Sequence, residues 1–239
     1  MRSSLFSAEN LEQESAQPGM RLQNSKLLKI ELNGEAMARV GSMVAYQGNV
    51  QFQALGSGGL GKFLKQKLTG EGVPLMKVTG QGDVFLAELA KDVHIIDLEP
   101  GDALSINGSS VLAFDSTLQY DIRMVGGSGM AASGLFNCVF SGHGRIAITT
   151  RGTPVVLNVD QPTYVDPQAA VCWSASLQTG YHRAEQLGLG TLLGRRTGEA
   201  FTMSFAGQGF VVVQPSEEPP VMGSGAQEQQ GGLLGGLLS

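Results

Sequence analysis

A glycine pair flanked on both sides by apolar, strand-like residues occurs three times in this chain. It reads VTGQGDVFL at 78–86, FSGHGRIAI at 140–148 and FAGQGFVVV at 205–213. The first glycines, Gly80, Gly142 and Gly207, stand 62 and 65 residues apart. A single Gly-x-Gly invites a phosphate-binding reading, but a dinucleotide fingerprint needs a third glycine, a following helix and an acidic residue about 20 positions on. Here the pairs run into VFLAEL, RIAITT and FVVVQP, whose β-branched residues read as strands. Gly80, Gly82, Gly142, Gly144, Gly207 and Gly209 are therefore read as structural turn glycines, each pair forming a tight hairpin turn or bulge.

Two further anchors keep step with the glycines. Met43-Val44-Ala45-Tyr46, Val111-Leu112-Ala113-Phe114 and Ala170-Val171-Cys172-Trp173 each place an aromatic after a small residue. GLGKFLKQKLTGE at 59–71 and GLGTLLGRRTGE at 188–199 each lead towards a glycine pair, and GGSGMAASG at 126–134 stands in the same place without basic residues. Internal periodicity of this kind marks a unit used several times. The expected fold is all-β: three tandem related β subdomains, sandwich- or barrel-like units of the double-stranded β-helix type, with at most one or two short helices. The expected organisation is an N-terminal segment 1–17, a triply repeated domain 18–216 (repeats 18–90, 91–152 and 153–216) and a flexible Gly/Leu-rich tail 217–239. Asn107-Gly108 between two apolar runs reads as a hairpin, and residues 60–68, with Leu60, Phe63, Leu64 and Leu68 on one face, read as a short helix.

The 34 glycines and only 15% charged residues suit such a turn-rich β protein. A net charge of −5 argues against DNA as a partner and makes RNA unexpected, because nucleic-acid affinity comes largely from neutralised phosphates. The first 20 residues have Glu9, Glu12 and Glu14 and no apolar core of a signal peptide. Cys138 and Cys172 sit in apolar stretches and read as buried free thiols of a reducing compartment. The expected location is cytoplasmic, with peripheral attachment to a membrane as an extension.

The ordered string SMVAYQGNV, LEPGDALSINGSSVLAFD, GLFNCVFSGHGRIAI, YVDPQAAVCWSASL and GEAFTMSFAGQGFVVVQP resembles the altered-inheritance-of-mitochondria, or mitochondrial biogenesis, family and its widespread bacterial members. The resemblance spans residues 18–216. It implies an all-β chain of three related subdomains, a homotrimer, and membership of the superfamily named for the tryptophan RNA-binding attenuation protein. The family's biochemical activity is poorly defined, so no catalytic residue is carried over. Fungal members are tied to the mitochondrial inner membrane and its organising complexes.

Candidate chemistry is sparse. His94, His143 and His182 form no His-x-His ligand pair, and no Gly-x-Ser-x-Gly elbow is present. Asp97, Glu99 and Asp102 cluster at a solvated turn. No catalytic residue, cofactor or metal is expected. The informative surface is basic and apolar together: Lys62, Phe63, Lys65 and Lys67 in segment 59–69, and Leu192, Leu193, Arg195 and Arg196 in segment 188–197. These residues suit a protein partner or an anionic membrane surface. The functional expectation is a non-enzymatic oligomeric scaffold or binding protein. Its alternatives are a membrane-surface or small-ligand binding module and, third, an enzyme whose site the sequence does not reveal.

Overall fold

The structure is a computed structural model that describes residues 3, 11–12, 18–55, 73–124, 136–182 and 202–217. The basic-apolar residues Lys62, Phe63, Lys65, Lys67, Leu192, Leu193, Arg195 and Arg196, the short helix expected at 60–68 and the tail 218–239 lie outside the described residues.

The described chain is almost entirely β. Its strands are β1 (Gly19–Asn24), β2 (Leu27–Arg39), β3 (Met43–Ala54), β4 (Leu75–Leu86), β5 (Asp92–Leu98), β6 (Ala103–Asn107), β7 (Val111–Asp115), β8 (Gln119–Met124), β9 (Phe136–Ser141), β10 (Gly144–Thr150), β11 (Val155–Val159), β12 (Thr163–Val165), β13 (Ala170–Ser174), β14 (Gln178–His182), β15 (Thr202–Ala206) and β16 (Gly209–Val213). A 7-stranded sheet runs β3-β4-β2-β7-β10-β5 with β1 beside β2. A 6-stranded sheet runs β11-β16-β13-β6-β9-β8, and a 3-stranded sheet runs β12-β15-β14. All ladders are antiparallel.

Two of the three glycine pairs are corners between sheets rather than hairpins. β9 pairs with β6 and β8 in one sheet while β10 pairs with β5 and β7 in another, so Gly142 and Gly144 hand the chain between sheets. Gly207 and Gly209 separate β15 from β16 in the same way. Gly80 and Gly82 do not interrupt β4 at all; the strand runs straight through them against β2 and β3. The reason is close approach: a Cβ on Gly80 would run into the Asn49 carbonyl and one on Gly82 into the Gln47 carbonyl. Nor do β6 and β7 form the hairpin expected around Asn107-Gly108. Buried Asn107 donates its amide to the carbonyls of Pro167 (3.2 Å) and Ala170 (3.1 Å), and its Oδ1 caps a 3-10 turn at Ser109. That turn sends β7 into a different sheet from β6.

Around the three glycine pairs the ladders keep one register. Three residues before the first glycine, Lys77, Val139 and Ser204 face Met37, Ser105 and Tyr164. Two before it, Val78, Phe140 and Phe205 face Phe52, Tyr120 and Thr179. Two after the second glycine, Val84, Ile146 and Val211 face Ile30, Ile96 and Leu157. Three after it, Phe85, Ala147 and Val212 face Ala45, Ala113 and Cys172. A register shift falls in each of these last ladders, at Val44, Leu112 and Val171. Such bulges are specific features of a strand pair rather than random defects.

Alternation fixes which residues enter the core, since successive side chains point to opposite faces. One apolar cluster gathers Phe114, Phe140, Ile106, Ile146 and Val171; a second gathers Leu28, Val78, Val84, Leu86 and Ala113; a third gathers Trp173, Phe205, Met203 and Val211. Phe114 meets Phe140 edge-on with centroids 4.9 Å apart, and Trp173 meets Phe205 edge-on at 5.5 Å. Both geometries suit the ring quadrupole.

Candidate interaction surface

The ionisable groups of the interior are committed to structure. The Lys29 ammonium is buried over the Phe85 ring, 5.5 Å from its centroid, and reaches Asp83 Oδ2 at 3.0 Å and the Glu12 carboxylate. Burial alone would push its pKa down, but the hydrogen bonds that it donates to Glu12 and Asp83, with their negative charge, outweigh that, and the net shift is upward. A lysine held charged in this way is no nucleophile at neutral pH. Arg39 spans between segments: its Nε donates to the Val111 carbonyl at 2.8 Å, another of its nitrogens donates to the Gly108 carbonyl, and Glu88 lies 3.2 Å away. The sequence carried no signal for either arrangement, because neither pair is near in sequence.

The other titratable candidates are scattered. His94 Nε2 shares a hydrogen bond with Thr150 Oγ1 at 2.9 Å; His143 sits at a corner where its carbonyl accepts from Thr117; His182 ends β14. Among the described residues no three His, Cys, Asp or Glu side chains come close enough to hold a metal ion. Cys138 and Cys172 are free and buried, and burial pushes both thiols up to about 12. Asp97 pairs with Arg145 at 3.1 Å in solvent, and Asp102 caps its own turn at Glu99 N. Burial also raises the Tyr181 phenol to about 12, and its oxygen meets no partner among the described residues.

The surface is more informative than the interior. β3 has no charged residue and no proline from Met43 to Ala54, and from Met43 to Asn49 every residue is exposed. Val44 is 58% and Tyr46 49% exposed, whereas Phe114 and Trp173, at the same ladder position as Tyr46, are 0% and 3% exposed. A long, uncharged edge of this kind is usually blunted in monomeric proteins. β12, at the edge of the 3-stranded sheet, presents Tyr164 at 55% exposure. The two basic-apolar segments named from sequence connect strands that pair with each other, β3 with β4 and β14 with β15, and residues 125–135 connect β8 with β9 likewise. The sequence singled out Tyr46 as a repeat anchor but not as surface; the available hint was a tyrosine where the other segments have phenylalanine and tryptophan.

The family model described as mitochondrial biogenesis AIM24 matches residues 20–216. The chain belongs to the AIM24 family. The fold of this AIM24 chain is similar to a crystal structure of protein SPYM3_0169 from Streptococcus pyogenes. That likeness has a TM-score of 0.64 and 22% sequence identity, and it covers 84% of this chain and 94% of the streptococcal one. No curated protein matches the sequence. Among the described residues no helix is long and apolar enough to cross a membrane.

Proposed function

We propose that this AIM24-family chain is a non-enzymatic scaffold or binding protein that assembles with copies of itself, a homotrimer being the expected size, and that its body is three tandem related β subdomains. The observation that carries the reading is the exposed, uncharged first half of β3, whose counterparts in β7 and β13 lie buried in the sheets. Exposing an uncharged edge is costly in aggregation risk unless something covers it. The interior supports the same reading: the buried lysine is ion-paired and the thiols are held protonated, so they give structure rather than reactivity. Kinship with the tryptophan RNA-binding attenuation protein superfamily, and a cytoplasmic location, belong to this proposal.

Light-scattering mass measurement at micromolar concentration tests it. A particle of about three 25.1 kDa chains is expected; a 25.1 kDa monomer across that range rejects self-assembly. A second reading, attachment to an anionic membrane surface, draws support from the corresponding places of segments 59–69 and 188–197 between paired strands. Co-sedimentation with phosphatidylserine vesicles that is lost in a Lys62→Ala/Lys65→Ala/Lys67→Ala variant favours that reading, and equal pelleting with neutral vesicles removes it.

A further inference from the structure

We infer that β3 of one chain pairs antiparallel with β12 of a second copy, in a register that sets Tyr46 opposite Tyr164. The inference deepens the self-assembly reading and rests on it.

The chain supplies its own template for this contact. Where one glycine-pair segment meets the next, the strand carrying Met37 or Ser105 pairs with the following segment's strand carrying Phe114 or Trp173. In the first seam Met37 faces Phe114, with Ala38 facing Ala113 and Ala36 facing Asp115. In the second, Ser105 faces Trp173, with Ile106 facing Cys172 and Leu104 facing Ser174. Both seams are antiparallel and identical in register relative to the glycines. By the same ladder positions, Met37 and Ser105 correspond to Tyr164, and Phe114 and Trp173 correspond to Tyr46. Two strand edges of this type are left over among the described residues: β12 pairs only with β15, and β3 only with β4. They are complementary by the rule that the chain uses twice. Superposing that rule sets Ala45 opposite Val165, Tyr46 opposite Tyr164 and Gln47 opposite Thr163.

The other sheet edges do not compete. β5 and β11 at one side, and β8 and β14 at the other, stay at edges whether or not a neighbouring segment is present. The strands equivalent to β3 and β12 are covered wherever the chain provides a neighbour. Chemistry agrees, since Met43 to Asn49 and Thr163 to Val165 contain no charge to desolvate. The contact is heterologous: each copy uses β3 on one side and β12 on the other. Such contacts close into a ring or run on as a filament, and a ring of copies leaves neither edge open.

Cysteine pairing tests the seam on the full chain. Directly opposed residues of an antiparallel pair lie about 4.5–5.5 Å apart at Cα, within disulfide reach. Chains carrying Gln47→Cys and chains carrying Thr163→Cys are co-expressed, oxidised and run without reductant; buried Cys138 and Cys172 do not interfere. A shift from the 25.1 kDa chain to a covalent dimer is expected in the mixture and in neither variant alone. The out-of-register mixture, Gln47→Cys with Tyr164→Cys, is expected to stay uncrosslinked. Loss of assembly is expected for a Tyr46→Lys/Tyr164→Lys chain, which sets like charges against each other while its circular dichroism stays β. No dimer in the Gln47/Thr163 mixture, an equal yield in the control mixture, or an intrachain bond in a doubly substituted monomer overturns the proposed seam. If the native particle is nevertheless oligomeric, the self-assembly reading survives and only the seam falls; if the native chain is monomeric, both fall.

Discussion

Tyr46 and Phe114 stand at one ladder position and live in different worlds. Each follows an alanine that faces the third residue after a glycine pair, Phe85 for Ala45 and Ala147 for Ala113. Phe114 is sealed between β10 on one side and β2 on the other, packed edge-on against Phe140. Among the described residues Tyr46 has β4 on one side only, with Phe52 edge-on at 5.3 Å. The difference teaches that burial here is set by the neighbouring strand and not by a segment's own ladder. Trp173 makes the same point a second time: β6 covers its strand, and it is as buried as Phe114.

The largest expected effect comes from truncating these rings. Phe114→Ala opens a cavity in the cluster it shares with Phe140 and Ile146 and is expected to cost about 3–5 kcal/mol, the range for buried Phe to Ala. Tyr46→Ala, measured by urea denaturation on dilute chain, is expected to stay within about 1 kcal/mol, since exposed substitutions seldom cost more. Equal losses at the two positions would break the comparison. A Tyr46→Ala loss that appears only at high protein concentration would sharpen it, because that is the signature of a contact between copies.

At the glycine pairs the ranking reverses, with the first segment the more sensitive. Gly82 has φ 148° and its Cβ would strike the Gln47 carbonyl, a backbone atom that cannot turn aside. Gly209 has no left-handed backbone, and its Cβ would meet Ser174 Oγ at 2.7 Å and Ser174 Cβ at 2.8 Å, a looser approach than the 2.0 Å to the Gln47 carbonyl at Gly82. Gly82→Ala is expected to cost about 2 kcal/mol, within the range for a strained position, and Gly209→Ala clearly less. Thermal melts of the two variants decide it; Gly209→Ala melting lower would show that the close approach of β3 to β4 is not what makes the first glycine pair the least tolerant.

The all-β class was legible because alternation and β-branched residues report strand structure locally. The burial of Cys138 and Cys172 was legible for the same reason, both standing in apolar runs. What sequence misread was partnership. Asn107-Gly108 is a good local turn signal, yet the turn serves a change of sheet, decided by Asn107 reaching Pro167 and Ala170 some sixty residues away. The glycine pairs were likewise read as tight hairpin turns or bulges because these are the nearest local solutions; the choice between hairpin, corner and unbroken strand belongs to the strands on either side. Lys29 with Glu12 and Asp83, and Arg39 with Gly108 and Val111, depend on contacts that no spacing rule foreshadows. The candidate surface named from sequence, in segments 59–69 and 188–197, lies outside the described residues, and the surface that the strands themselves expose was hidden in a residue quoted only as an anchor.

The smallest effect concerns the position just before the aromatic, where Ala45, Ala113 and Cys172 correspond. Cys172 is fully buried and burial holds its thiol at about 12, while Ala45 is exposed. An Ala45→Cys chain is expected to react with iodoacetamide at pH 8 at the rate of a free thiol, and native Cys172 only when the chain unfolds. The same contrast has a stability consequence. A thiol whose folded pKa is raised costs nothing below the unfolded value of about 8.5, and above it the unfolded chain gains by releasing the proton first. Stability therefore falls as pH rises between about 8.5 and about 12. One pH unit above the unfolded pKa, near pH 9.5, each buried thiol is expected to withdraw about 1 kcal/mol. Replacing Cys172 by Ala, the residue that Ala113 already presents in a buried setting, is expected to flatten that alkaline slope by the same amount, while Ala45→Cys leaves it unchanged. An unaltered slope in the Cys172→Ala chain would mean that the strand opens to water at alkaline pH, and that β6 covers it less firmly than β2 covers β7.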